Sequence, residues 1–343
     1  MKWTFVLLPV FMGLIVGCQL APTVPERPDP RIAFMTDRDG NFEIYVMERD
    51  GSNPVNLTND VDTNEGLPSW SAEADAFAYV NDQGVAGLSV YRMDSAGEDE
   101  AALNETLPTD SGPPIWSPTG EWIAFGSGSG DGNAEVYVVD AAGEEVINLT
   151  NHPSQDTFGS WTPDGKTVFF VSDRDGTLVI YSVDVAGGEP MQVTNPGFGS
   201  GRPAFSPNGT EMAFMSNRDG DIEVYVMDTD NGEITRLTES EGFDGYPAWS
   251  PNGEQIAFLS GRDGNAEIYV MNADGSSPTN ITNMPDSQES VQGDFSWSPD
   301  GLQIMFHSNK DGNVEVYVVN ADGTMATNLS NNPATDFASI WVR

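Results

Sequence analysis

The chain is poor in cysteine, histidine and positive charge. It has one cysteine, Cys18, two histidines, and 14 basic residues against 53 acidic ones. A single thiol excludes an internal disulfide framework. His152 and His307 are too few for a His-ligated lyase or hydrolase centre, and each reads as structural or solvated. The net charge of −39 makes nucleic acid and anionic lipid head groups poor partners. Cationic peptides, basic proteins or metal ions suit that surface better, and a purely solubilising role competes with all of them. No apolar run reaches the roughly 20 residues of a transmembrane helix, and no window repeats at 3.6 residues. Helices are therefore not expected.

A shorter apolar run, Trp3–Val16, follows Lys2 and suits the hydrophobic region of a secretory signal peptide. It ends Ile15-Val16-Gly17-Cys18, which resembles the lipobox of bacterial lipoproteins. That resemblance implies cleavage before Cys18, lipidation of Cys18 and a membrane anchor. Residues 1–17 are then the signal peptide. The Pro-rich stretch through Pro30, with four prolines in Gln19–Pro30, reads as an extended tether.

From Arg31 to Arg343 a unit of about 45 residues recurs. Its clearest copy, Pro247–Thr282, reads as strands at Pro247–Ser250, Gln255–Ser260, Glu267–Met271 and Thr279–Thr282. Asn-Gly and Asp-Gly pairs between them supply the left-handed positions of tight hairpins. Trp70, Trp116, Trp161, Phe205, Trp249, Trp297 and Trp341 mark the first strand at intervals of 46, 45, 44, 44, 48 and 44 residues. Phe34, Tyr79, Phe125, Phe170, Phe214, Phe258 and Phe306 mark the second strand. Seven of the nine tyrosines, Tyr45, Tyr91, Tyr137, Tyr181, Tyr225, Tyr269 and Tyr317, mark the third. Four strands per unit at this period predict an all-β, seven-bladed β-propeller. The first unit lacks a first strand, and the chain ends on one, Ala338–Arg343. Closure by pairing the C-terminal strand with the N-terminal blade follows. The second unit, Leu67–Leu107, keeps the spacing but loses the turn motifs, and an insertion falls near Pro285–Gly293.

The units WSPNGEQIAFLSGRDGNAEIYVMNADG and FSWSPDGLQIMFHSNKDGNVEVYVVNADG resemble the WD-like repeat of the TolB-type propeller family. The resemblance covers Arg31–Arg343 and implies the fold far more specifically than the function. Relatives in that family include the propeller halves of prolyl-oligopeptidase-like peptidases, but the G-x-S-x-G elbow of their hydrolase domain is missing here.

Two acidic sets are candidate sites. Asp37, Asp39, Asn41 and Glu43, in the turn between second and third strands, space oxygens as part of a calcium loop does. The competing expectation is a hairpin turn with cross-turn pairs Glu43–Arg38, Glu223–Arg218 and Glu267–Arg262. Glu65, Asp156, Asp244 and Asp336 each lie five residues before the first-strand aromatic. In propellers of this family both sets share one face, so they are expected to ring one acidic channel mouth. Tyr246 and Phe243 then stand beside it as aromatic contacts. The N-L-T triplets at Asn56, Asn148 and Asn280, with Asn328-Leu-Ser, read as strand sequence rather than glycosylation sites. The expectation is a monomeric, non-catalytic binding or scaffolding module of the cell envelope. It is periplasmic or surface-exposed and binds a cationic peptide or basic envelope protein without a cofactor. The alternative is a channel-centred, metal-dependent hydrolase or lyase.

Overall fold

The computed structural model describes residues 30–82, 88–103, 112–128, 133–284 and 295–343. The signal run, Cys18 and the tether before Pro30 lie outside them. Among the described residues, 28 strands form seven four-stranded antiparallel sheets. Blade I joins Asp336–Val342 to Arg31–Thr36, Glu43–Met47 and Val55–Asn56. Blade II runs from Asn64–Ser71 to Ala101–Ala102 and blade III from Ile115–Trp116 to Val146–Asn148. Blade IV spans Asp156–Trp161 to Met191–Gln192 and blade V Ser200–Phe205 to Ile234–Arg236. Blade VI spans Asp244–Trp249 to Thr279–Asn280 and blade VII Ser296–Trp297 to Thr327–Asn328. The expected closure is present: Ile32 pairs with Trp341 and Arg31 with Val342.

Within blade VI, Gln255–Ser260 falls where the alternation of strand and turn places it. Gly264, in the following turn, takes φ +98°, which a side chain would strain. The first strand differs from expectation. It starts at Asp244 rather than Pro247 and carries a bulge between Gly245 and Ala248. Innermost strands of blades II and V bulge at the same place. A bulge turns one residue out of the ladder, here toward the centre of the ring. Leu67, Arg202, Tyr246 and Ala338 occupy that position with φ between +50° and +56°.

The expected stacking follows from two-faced apolar strands such as IAFL, which need cover on both sides. Seven apolar clusters fill the seven blade–blade interfaces. One joins Leu259 and Ile281 of blade VI to Trp297, Phe306 and Tyr317 of blade VII. Another joins Phe34 and Tyr45 of blade I to Val316 and Leu329 of blade VII. The second- and third-strand aromatics pack in pairs, with centroids 5.5 Å apart for Phe306–Tyr317 and 6.0 Å for Phe34–Tyr45. First-strand tryptophans of blades IV, VI and VII tie their blade to the one before. The indole N–H of Trp161 donates to Ile115 O at 3.2 Å, that of Trp249 to Ala204 O at 3.1 Å and that of Trp297 to Ala248 O at 3.0 Å.

The N-L-T triplets have a definite task. The Asn56 carboxamide accepts from the backbone of Thr58 and Asn59, and Thr58 Oγ1 donates to buried Glu43. Asn148 and Thr150 repeat this with Glu135, and Asn280 and Thr282 with Glu267. The outermost strand is thereby fastened to the loop that enters the next blade.

Candidate binding site at the channel mouth

The start of each innermost strand and the turn between second and third strands meet at one end of the ring. Asp244 N donates to Ile222 O of blade V at 2.9 Å, and Asp336 N to Val314 O of blade VII at 2.9 Å. The expected shared face is therefore real.

The four acids are not on its surface. Glu65, Asp156, Asp244 and Asp336 are at most 1% exposed. Charges cannot be buried alone, and three of these have an arginine from the turn of their own blade. Arg174 Nη2 reaches Asp156 at 2.9 Å, Arg262 Nη2 reaches Asp244 at 2.7 Å and Arg38 Nη2 reaches Asp336 at 3.2 Å. Each Nε also donates to the hydroxyl ending the second strand: Ser172 at 2.8 Å, Ser260 at 2.7 Å and Thr36 at 3.1 Å. The guanidinium lies over the aromatic pair, 4.6 Å from the Tyr269 centroid in blade VI. The cross-turn pairs are corrected accordingly. Arg38 and Arg262 turn to the innermost strand, while Glu223 pairs with Arg236 at 2.8 Å.

Among the described residues no arginine reaches Glu65. The residue in register is Gln83, outside the described residues. Glu65 instead accepts from Thr63 Oγ1 and from Asn81 Nδ2 at 2.9 Å, and its Oε2 has no partner among the described residues. Burial pushes its carboxyl up to about 7. The Thr63 hydroxyl opposes that shift, and the Glu43 and Asp60 charges add to it.

The candidate calcium set does not converge. Asp39 accepts from Tyr45 OH and from Asn56 Nδ2 at 3.2 Å. Asp37 Oδ1 accepts from Thr335 N at 2.8 Å, and Asn41 turns its amide to Glu43, Asp60 O and Thr63 O. Among the described residues, no three Asp, Glu, His or Cys side chains gather to hold a metal ion. The acidity of this face comes from the exposed turn aspartates instead. Asp39, Asp175, Asp219, Asp263 and Asp311 each accept the hydroxyl of the third-strand tyrosine. Burial, then the aspartate bond, pushes Tyr45, Tyr181 and Tyr269 up to about 12.

Inside the mouth the ring is apolar on one side. A cavity of about 600 Å³ is lined by Leu67, Pro68, Ile115, Phe295, Phe337 and Ile340, among others, with His307 in its wall. His307 Nε2 bonds the Ser339 backbone and hydroxyl at 3.1 and 2.9 Å. His152 lies apart, its Nδ1 accepting from Ser154 N at 3.2 Å. On the blade V–VI side, Arg202 stacks over Tyr246 at 4.4 Å, and Phe243 meets Tyr246 edge-on at 5.8 Å. Tyr246 thus faces the channel. The apolar wall was not expected from sequence. Its signal is the repeated Gly-x-Pro of Gly66-Leu67-Pro68, Gly201-Arg202-Pro203 and Gly245-Tyr246-Pro247, where x is the bulged, inward residue.

The sequence profile of the TolB beta propeller domain matches residues 105–199 and 191–295, more than half of the chain. The chain belongs to the TolB beta-propeller family. Among solved structures it is similar to TolB from Acinetobacter baumannii, at 26% identity and a TM-score of 0.54. That match covers 73% of this chain and 63% of that one, so the chain spans less than two thirds of that TolB. Oligogalacturonate lyase from Vibrio parahaemolyticus shares the fold at 16% identity and a TM-score of 0.66, covering 84% of this chain and 85% of that one. A puromycin hydrolase shares it at 13% identity and a TM-score of 0.68, covering 89% and 53%. No curated protein matches the sequence.

Proposed function

We propose that the protein is a lipid-anchored, extracytoplasmic binding or scaffolding module that receives a segment of a basic envelope protein, or a cationic peptide, at its channel mouth. The observation that carries this reading is the apolar cavity set inside an acidic face. An apolar side chain of the partner fills the cavity between Leu67, Ile115 and Ile340. Lysines or arginines beside it meet the exposed aspartates of the turns and the loop acids Asp60, Asp62, Glu239 and Glu241. Such a mouth focuses a negative field on an approaching cation. The similarity to TolB supports a binding role, and Cys18 supplies the anchor. The module acts as a monomer and without catalysis.

A photo-crosslinking residue in place of Tyr246, in intact cells, tests this. One basic envelope protein or peptide should be trapped, and Ile115→Arg in the cavity wall should abolish the adduct. The same probe at Val146, on an exposed outermost strand, should trap nothing discrete. Equal trapping at both places, or adducts indifferent to Ile115→Arg, would overturn the reading.

A further inference from the structure

We infer that blade V carries a carboxylate-binding site at Arg218, whose carboxylate comes from a ligand rather than from the chain. The other blades supply the template. In blades IV and VI an innermost-strand aspartate is followed 18 residues later by the arginine that clamps it, as Asp156–Arg174 and Asp244–Arg262. Blade V keeps the arginine and loses the acid. Arg218 sits as its counterparts do: Nε donates to Ser216 Oγ at 3.3 Å, and the guanidinium lies 5.1 Å from Phe214 and 4.8 Å from Tyr225. Where the aspartate stands elsewhere, blade V has Ser200, whose hydroxyl donates to Ser216 Oγ at 3.3 Å.

The terminal nitrogens of Arg218 meet no protein acceptor among the described residues. Acids nearby are engaged: Asp219 takes the Tyr225 hydroxyl at 2.6 Å, and Glu223 takes Arg236 and Thr238. Partial burial lowers the pKa of Arg218, with Tyr225 and Asp219 opposing. Its charge is desolvated without an ion pair in return. Ser200 is flanked by Gly199 and Gly201, where an added Cβ would rest in ordinary van der Waals contact with Asn217 and Met215 at 3.5 Å, so neither position carries a side chain that would crowd the guanidinium. A guanidinium fork held by stacking and one hydroxyl is set for bidentate contact with a carboxylate. Exposed Asp219 and Asp221 in the same turn repel polyanions, so the site suits a single carboxylate. That is an aspartate or glutamate side chain of a peptide, or its C-terminus. This inference goes beyond the channel-mouth reading and stands without it.

The test follows the Nε–Hε resonances of Arg218 and Arg262 by NMR in the full chain. Acetate is titrated against methylammonium chloride at constant ionic strength. Acetate should shift Arg218 saturably and leave Arg262, already paired, in place; methylammonium should move neither. Ser200→Asp supplies the missing carboxylate internally and should abolish the acetate response. Arg218→Lys keeps the charge but loses the fork, and should leave no saturable response at the Tyr225 ring signals. A peptide with a free C-terminus and an amidated peptide with an internal aspartate distinguish the two carboxylate sources. Binding by neither counts against the site. A linear or absent Arg218 response, or one that survives Ser200→Asp, overturns it.

Discussion

Blades VI and II begin their innermost strands with a buried acid, and they settle its charge in different ways. In blade VI, Asp244 is held by Arg262 at 2.7 Å and by Ser240 Oγ at 2.9 Å. In blade II, Glu65 has Thr63 and Asn81 but no cation among the described residues. One blade therefore buries an ion pair, and the other buries a carboxyl that holds its proton up to about pH 7. Blade V is the converse, with Arg218 and no acid. A repeat fixes the place of a charge, and each copy neutralises it by whatever its own turn supplies.

The largest effect should come from stranding a buried acid. Arg262→Met leaves Asp244, 0% exposed, without its partner and should cost about 3–5 kcal/mol in denaturant unfolding. Arg218→Met loses the same stacking but strands no acid, and should cost about 1 kcal/mol. Equal costs would dissolve the distinction between the blades.

A medium effect should appear with pH. The fold raises the Glu65 pKa above its unfolded value, so folding favours the protonated acid. Its contribution is fully present below the ordinary carboxylate range and is lost as pH rises toward about 7. Glu65→Gln should therefore gain stability over the wild type across that window, by up to about 3 kcal/mol. Urea midpoints at pH 5 and pH 8 measure this. A difference that does not grow with pH would show Glu65 to be ionised throughout.

The smallest effect concerns the inter-blade tryptophans. Trp161 donates to Ile115 O, whereas the indole N–H groups of Trp70, at the blade I–II interface, and Trp116, at the blade II–III interface, are buried without partners among the described residues. Trp161→Phe should cost about 1 kcal/mol more than Trp116→Phe. A thermal unfolding comparison in which Trp116→Phe costs as much would mean the two interfaces are alike.

Much of the fold is legible in the sequence because packing forces a period. Phe258 and Tyr269 must recur wherever a blade stacks on the next, and Trp341 announces the closing strand. The site is less legible because it depends on directions that spacing does not encode. Asp244 and Arg262 are visible as residues, but cross-turn geometry favoured Glu267 as the partner of Arg262. Only the bulged innermost strand shows that Asp244 lies under the guanidinium. The same bulge turns Leu67 and Tyr246 inward at positive φ, a conformation that a short apolar run does not signal. Glu43 looks like a ligand or a turn partner until the loop entering blade II is seen to fold onto it.

The most direct test of the arginine clamps is a double-mutant cycle on Asp244→Asn and Arg262→Met, read by denaturant unfolding. The account predicts that each single variant is costly and that the double variant costs less than their sum, with a coupling above about 1.5 kcal/mol. Additive costs would contradict it.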